Sequence, residues 1–251
     1  MAAQKRHIFV IGCPRSGTTA FTRLLNQHPD IAIGYERYSK LARKGELTPA
    51  HFEADRFEQF EAGDSHWSHY NKGNYRFDVL GKAQDASFVG DKLVNVADQM
   101  AQFDRFSDVK LIFLIRDPVS IARSWQARAD HPNDSWDANR DGLVSIPAFN
   151  AFVRFTERWT KANPENSLCI YCEDFFADRS GLAPCLRFIG ADPDDMGDAD
   201  FIYEASAEKL LDPSRTIQSE VSLRANFGRF RKLVHAARTA SGHAGSEVVA
   251  Q

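Results

Sequence analysis

The chain opens with an apolar run, His7 to Ile11, followed by two glycines and then by Phe21, Leu24 and Leu25 at helical spacing. That order predicts a strand, a tight loop and a helix over about 17–26. His28-Pro-Asp-Ile-Ala-Ile then reads as a turn and a short second strand, and Ser87-Phe-Val-Gly as a third. Val96, Met100 and Phe103 form a helical stripe, and Val109 to Ile115 is the clearest strand, apolar at six of seven positions. A strand apolar on both faces belongs inside a parallel sheet. Asp117-Pro118 supplies an N-cap and a proline for the first helical position. A long helix over 146–162 stops at Asn163-Pro164, a strand covers Ser167 to Tyr171, and a helix covers about 180–188. Strands alternating with helices predict an α/β fold: one domain over 1–251, with a mainly parallel central sheet flanked by helices and joined by right-handed crossovers. Residues 240–251 read as a frayed tail.

Residues 40–80 break the alternation. They are charged and aromatic, with Phe52, Phe57, Phe60, Trp67, Tyr70 and Tyr75. Phe57 and Phe60 suggest helix and Asn71-Lys-Gly-Asn a turn. Such an insert can serve as a lid over a site or simply pack as core, and the sequence leaves both open.

The first loop carries the chemistry. Val10-Ile-Gly-Cys-Pro-Arg-Ser-Gly-Thr-Thr19 sits between strand and helix, where successive backbone N–H groups and the helix dipole hold an anion. A nucleoside-triphosphatase loop reads G-x-x-x-x-G-K-[ST]. Here Gly12 and Gly17 keep the spacing, but Thr18 stands in the lysine position and Arg15 is the loop's one charge. That argues against a P-loop kinase using Mg·ATP. A non-catalytic adenosine-phosphate-binding module remains the other alternative, since function lives in the site.

Pro14-Arg-Ser-Gly-Thr-Thr19 resembles the 5′-phosphosulfate loop of sulfotransferases that use 3′-phosphoadenosine 5′-phosphosulfate (PAPS). Lys110-Leu-Ile-Phe-Leu-Ile-Arg-Asp-Pro-Val-Ser-Ile-Ala-Arg-Ser124 resembles the family's 3′-phosphate segment. Ile170-Tyr-Cys-Glu-Asp-Phe-Phe, then Leu186-Arg-Phe-Ile-Gly190, resembles its later strand and helix. The resemblance implies sulfuryl transfer from PAPS, leaving 3′-phosphoadenosine 5′-phosphate (PAP), to a hydroxyl, closest in motif to the carbohydrate branch. It assigns Arg15, Ser16, Gly17, Thr18 and Thr19 to the 5′-phosphosulfate, and Arg116 and Ser124 to the 3′-phosphate. It makes Glu36, after His28-Pro-Asp, the general base; His66 and His69 in the insert are the fallback candidates. Lys92, read as following a strand, resembles a lysine near the transferring sulfonate, although Asp91 stands where that motif has Glu and Leu93-Val94 replace its last two residues. Arg224-Ala-Asn-Phe-Gly228-Arg-Phe-Arg231 is a loose match to a late nucleotide-binding loop.

Composition narrows the field further. The chain has 251 residues, 43% hydrophobic, enough for one core, and a net charge of −3. With a pI near 6.2 it is no general nucleic-acid binder. The absence of a membrane-length apolar run or signal peptide predicts a cytoplasmic protein, unlike the anchored Golgi members of the family. Cys169 and Cys172 form a C-x-x-C without a second ligand pair, so no metal is expected; Cys13, inside the anion loop, reads as an alkylation target.

Overall fold

The protein is seen here as a computed structural model, which describes residues 5–59, 61, 63–65, 79, 81–197, 199, 200, 202, 203, 221 and 224–241. Five strands, β1 (Arg6–Gly12), β2 (Ile31–Tyr35), β3 (Phe88–Val94), β4 (Val109–Ile115) and β5 (Ser167–Tyr171), form one sheet in the order β2-β3-β1-β4-β5. Every pairing is parallel. Helices α1 (Thr18–Leu25), α2 (Ser39–Lys44), α3 (Ala54–Glu58), α4 (Pro118–Ala129), α5 (Ser145–Ala162), α6 (Cys172–Ala177), α7 (Leu182–Ile189) and α8 (Phe227–Ala240) flank the sheet.

Side chains alternate across a strand, so each central strand feeds two cores. Phe9 and Ile11 of β1 and Phe113 of β4 join Phe103, Phe149 and Phe155 on the face covered by α2, α5 and α8. Ile8, Val10, Ile112 and Leu114 point the other way, against Phe21 and Leu24 of α1, Phe175 of α6 and Leu186 of α7. Phe9 anchors the first core, its ring 4.7 Å from Phe103 and 5.3 Å from Phe52. β1 lies between β3 and β4, so the chain leaves it toward one side of the sheet and later crosses to the other. Open α/β sheets bind ligands at such a reversal, beyond the carboxyl ends of the strands.

Several boundaries differ from the sequence reading. β3 runs on through Gly90, Asp91 and Lys92 to Val94, and all seven residues are buried. A glycine and two charges break the apolar pattern there, but contacts from β1 and β2 make burial affordable. Lys92 therefore lies within a strand rather than after one. The Val96–Phe103 stripe is a 3-10 segment, Ala97–Arg105, kinked at Gln99. The expected late helix starts as a 3-10 turn at Arg179 before α7, and α6 was not foreseen. Arg224–Arg231 is not a glycine loop: Asn226 caps α8, accepting the Arg229 N–H at 3.2 Å, and Arg229 pairs with Glu157.

The insert's described part packs as core, with Phe52 and Phe57 buried beside Tyr38. Phe60, His66, Trp67, His69, Tyr70, Tyr75 and the tail beyond 241 lie outside the described residues. All four cysteines are free and buried. Cys172 opens α6, directly after the last residue of β5. Cys13 is no alkylation target, because burial pushes its thiol up to about 12 and leaves almost no thiolate.

Gly90 allows β1 and β3 to approach closely, since a Cβ there would run into the Ile8 carbonyl. Gly90→Ala is expected to cost about 3 kcal/mol or more, the scale of forced overpacking; urea unfolding with a midpoint near that of the parent protein would contradict this.

Candidate active site

The loop between β1 and α1 is built from left-handed backbone. Arg15 has φ 75° and Gly17 φ 88°, and the Ser16 N–H turns back to the Cys13 carbonyl at 3.0 Å. A Cβ at position 17 would meet Cys172 Sγ at 2.7 Å, so glycine is required by space as well as by φ. For arginine the left-handed region costs about 1–2 kcal/mol. Three contacts offset that strain. Arg116 Nη1 donates to the Arg15 carbonyl at 2.9 Å, Arg15 Nε donates to Ser124 Oγ at 2.9 Å, and Trp125 Nε1 donates to the Pro14 carbonyl at 3.1 Å. The donors and the acceptor hydroxyl come from the end of β4 and from α4, which Asp117 starts by accepting the Ser120 N–H at 2.8 Å.

α1 begins at Thr18 with no side-chain cap, so its first N–H groups have no side-chain acceptor. Thr18 is buried and Thr19 exposed. Ser16 is fully buried and its Oγ has no hydrogen-bond partner. Burial, and then the nearby Arg128 and Arg116, lower the Arg15 pKa, with Asp134 opposing. Guanidiniums that repel one another around unsatisfied donors make a place for an anion. Arg116 also faces Glu173 of α6, its Nε 3.6 Å from Oε1.

A second group stands on β2 and β3. Glu36 follows β2 with φ 64°, and its N–H donates to the Lys92 carbonyl at 2.9 Å. Lys92 Nζ meets Glu36 Oε1 at 2.5 Å; the lysine side chain is 6% exposed and the glutamate 35%. Lys92 is opposite Val10 in the register, and Val94 is opposite Gly12, so this pair sits one strand away from the anion loop.

Asp91 braces the turn that carries Glu36. It is fully buried, and its two oxygens accept the N–H groups of Arg37 at 3.0 Å and Tyr38 at 2.7 Å. Arg37, also fully buried, pairs with Asp64. Thus Arg15, Arg116 and Ser124 form one connected set, Ser16, Gly17, Thr18 and Thr19 line the same loop, and Glu36 meets Lys92. The sequence reading missed Asp91, Trp125 and Glu173 as supports. Asp91 and Glu173 each stood beside or within a quoted motif, which was the available signal.

The family model described as "Sulfotransferase family" matches residues 7–191. The chain belongs to the sulfotransferase family. No curated protein matches it. Among solved structures, the sulfotransferase domain of the Synechococcus PCC 7002 olefin synthase is similar at TM-score 0.55 and 17% identity, covering 98% of this chain and 97% of that one. The sulfotransferase domain from the curacin biosynthetic pathway gives 0.52 and 17%, covering 88% and 98%. Sulfotransferase STF1 of Mycobacterium tuberculosis H37Rv gives 0.51 and 18%, covering 91% and 77%. At these identities the structures establish the shared fold. Among the described residues of this sulfotransferase, no helix is long and apolar enough to cross a membrane.

The sulfotransferase family uses PAPS. The residues present fit such a group, since the loop combines the unpartnered Ser16 Oγ, uncapped helix N–H groups and converging guanidiniums.

Burial pushes the Asp91 carboxyl up to about 7, against an ordinary 3.8. A folded value above the unfolded one means that the native state keeps a proton the unfolded chain releases. The resulting stability is complete below the unfolded value and is lost as pH rises toward 7. Asp91→Asn removes this dependence. The stability gap between parent and variant is expected to narrow between pH 5 and pH 8, as read by urea unfolding; a gap constant across that range would contradict the assignment.

Proposed function

We propose that this enzyme transfers a sulfuryl group from PAPS to a hydroxyl of a carbohydrate or glycolipid, with Glu36 as general base, and that residues 1–251 act as one domain. The observation that carries the reading is the Glu36–Lys92 pair beside the anion loop. PAPS supplies the sulfuryl group and departs as PAP. Arg15, Ser16, Gly17, Thr18 and Thr19 hold its 5′ end through backbone N–H groups, hydroxyls and one planar guanidinium. Arg116 and Ser124 take the 3′-phosphate.

Glu36 accepts the proton of the acceptor hydroxyl. Its partial exposure suits that role, since the acceptor must reach it. Once Glu36 is neutral, the Lys92 ammonium loses its counter-charge and is free to stabilise negative charge developing on the departing oxygen. Lys92 and Arg15 thus work by electrostatic stabilisation rather than by covalent chemistry. Asp91 keeps the base aimed by holding the backbone on its C-terminal side.

PAP is expected to stabilise the protein thermally, by about 2.7 kcal/mol at a hundred times its dissociation constant, and Mg·ATP much less; preference for Mg·ATP would end the reading. Glu36→Gln and Lys92→Ala are expected to retain PAP binding and to lower kcat about 10²–10⁴-fold, the scale of a lost general base or charge stabiliser. Labelled PAPS offered with sugars, glycolipids and phenols tests the acceptor class, and sulfation of phenols alone would overturn the carbohydrate assignment.

A further inference from the structure

Glu173 is a mostly buried carboxylate beside the anion loop that the proposed chemistry does not use. It sits in the first turn of α6, immediately beyond β5. Its Oε1 accepts the Asp117 N–H at 3.2 Å and lies 3.6 Å from Arg116 Nε. Its Oε2 is buried without a hydrogen-bond partner.

These contacts account for two edges of the Arg116 guanidinium. Nη1 donates to the Arg15 carbonyl, while Nε faces Glu173 in an ion pair at 3.6 Å and makes no hydrogen bond. Nη2 makes no hydrogen bond among the described residues. One hydrogen bond and one ion pair restrict the planar group and leave Nη2 for a ligand. Because Oε1 also grips the Asp117 N–H, the carboxylate ties the fork to the backbone at the start of α4, the helix that carries Ser124.

We propose that Glu173 is the positioning residue for Arg116, turning the free edge of its guanidinium toward the 3′-phosphate of the nucleotide. The inference rests on the reading of Arg116 as the 3′-phosphate ligand. The electrostatic setting agrees with it. Burial pushes the Glu173 carboxyl up to about 7, and Arg116 pulls it down against burial and the nearby Asp117. The charge state of Glu173 and the orientation of Arg116 are therefore linked.

The test compares two nucleotides, PAP and adenosine 5′-phosphate, which lacks the 3′-phosphate, by calorimetric titration of the full chain. A positioning role predicts that Glu173→Ala lowers the preference for PAP over adenosine 5′-phosphate about tenfold, the scale of a lost charge-assisted bond. Glu173→Gln keeps an acceptor oxygen without the charge and is expected to lose about threefold. A merely structural role would weaken both nucleotides equally and leave the ratio unchanged, which would overturn the inference. If the alanine variant does not fold, an unchanged ratio in the glutamine variant overturns it alone. Arg116→Ala separates the two levels. If it leaves the ratio intact, the reading of Arg116 as phosphate ligand falls; if it collapses the ratio while the Glu173 variants do not, only the positioning role falls. In the double variant Glu173→Ala/Arg116→Ala, the ratio is expected to equal that of Arg116→Ala, and additive losses would count against the inference.

Discussion

A loop of left-handed backbone has to be held open between β1 and α1, and the bond from Arg116 to the Arg15 carbonyl does much of the holding. An arginine in that region of φ/ψ space persists only where its surroundings over-determine it. Ser124 and Trp125 of α4 supply the remaining grip. The consequence is a loop whose backbone is held by the fold itself. Its donors are arranged by folding instead of by binding, so little ordering is left to be done at the moment of association.

The sheet makes that arrangement possible. β1 and β4 are buried on both faces, and their ends are fixed by two cores rather than one. Arg116 stands directly after β4 and the anion loop directly after β1. Neighbouring parallel strands in register deliver both to the same edge. On the other flank, β3 brings Asp91 and Lys92 under the turn that follows β2. Two polar groups in one buried strand would be a liability by themselves. Each is satisfied, Asp91 by two backbone N–H groups and Lys92 by Glu36, which is the condition for burying such groups.

Much of the fold was legible because its signals are local. The β4 pattern, the Asp117-Pro118 helix start and the glycine-spaced loop each depend on a few consecutive residues, and each element stands where expected. β3 was read as ending at Gly90 because Asp91 and Lys92 break the apolar pattern until their partners are known. The late basic segment failed for a related reason: a glycine in the first turn of a capped helix resembles a glycine loop. Cys13 looked reactive from its place in the loop, yet reactivity depends on solvent access that spacing does not encode.

By itself the sequence determined a parallel α/β frame, an anion loop without the nucleotidase lysine, and membership of a sulfotransferase pattern, because periodicity and short motifs are written in neighbouring residues. Only the tertiary structure decided that Lys92 meets Glu36 across 56 positions, that Arg116 props the Arg15 backbone across 101, and that Glu173 faces Arg116 across the ends of two strands. Contacts of that range are set by strand order and register, and these emerge only when two hydrophobic faces are buried together.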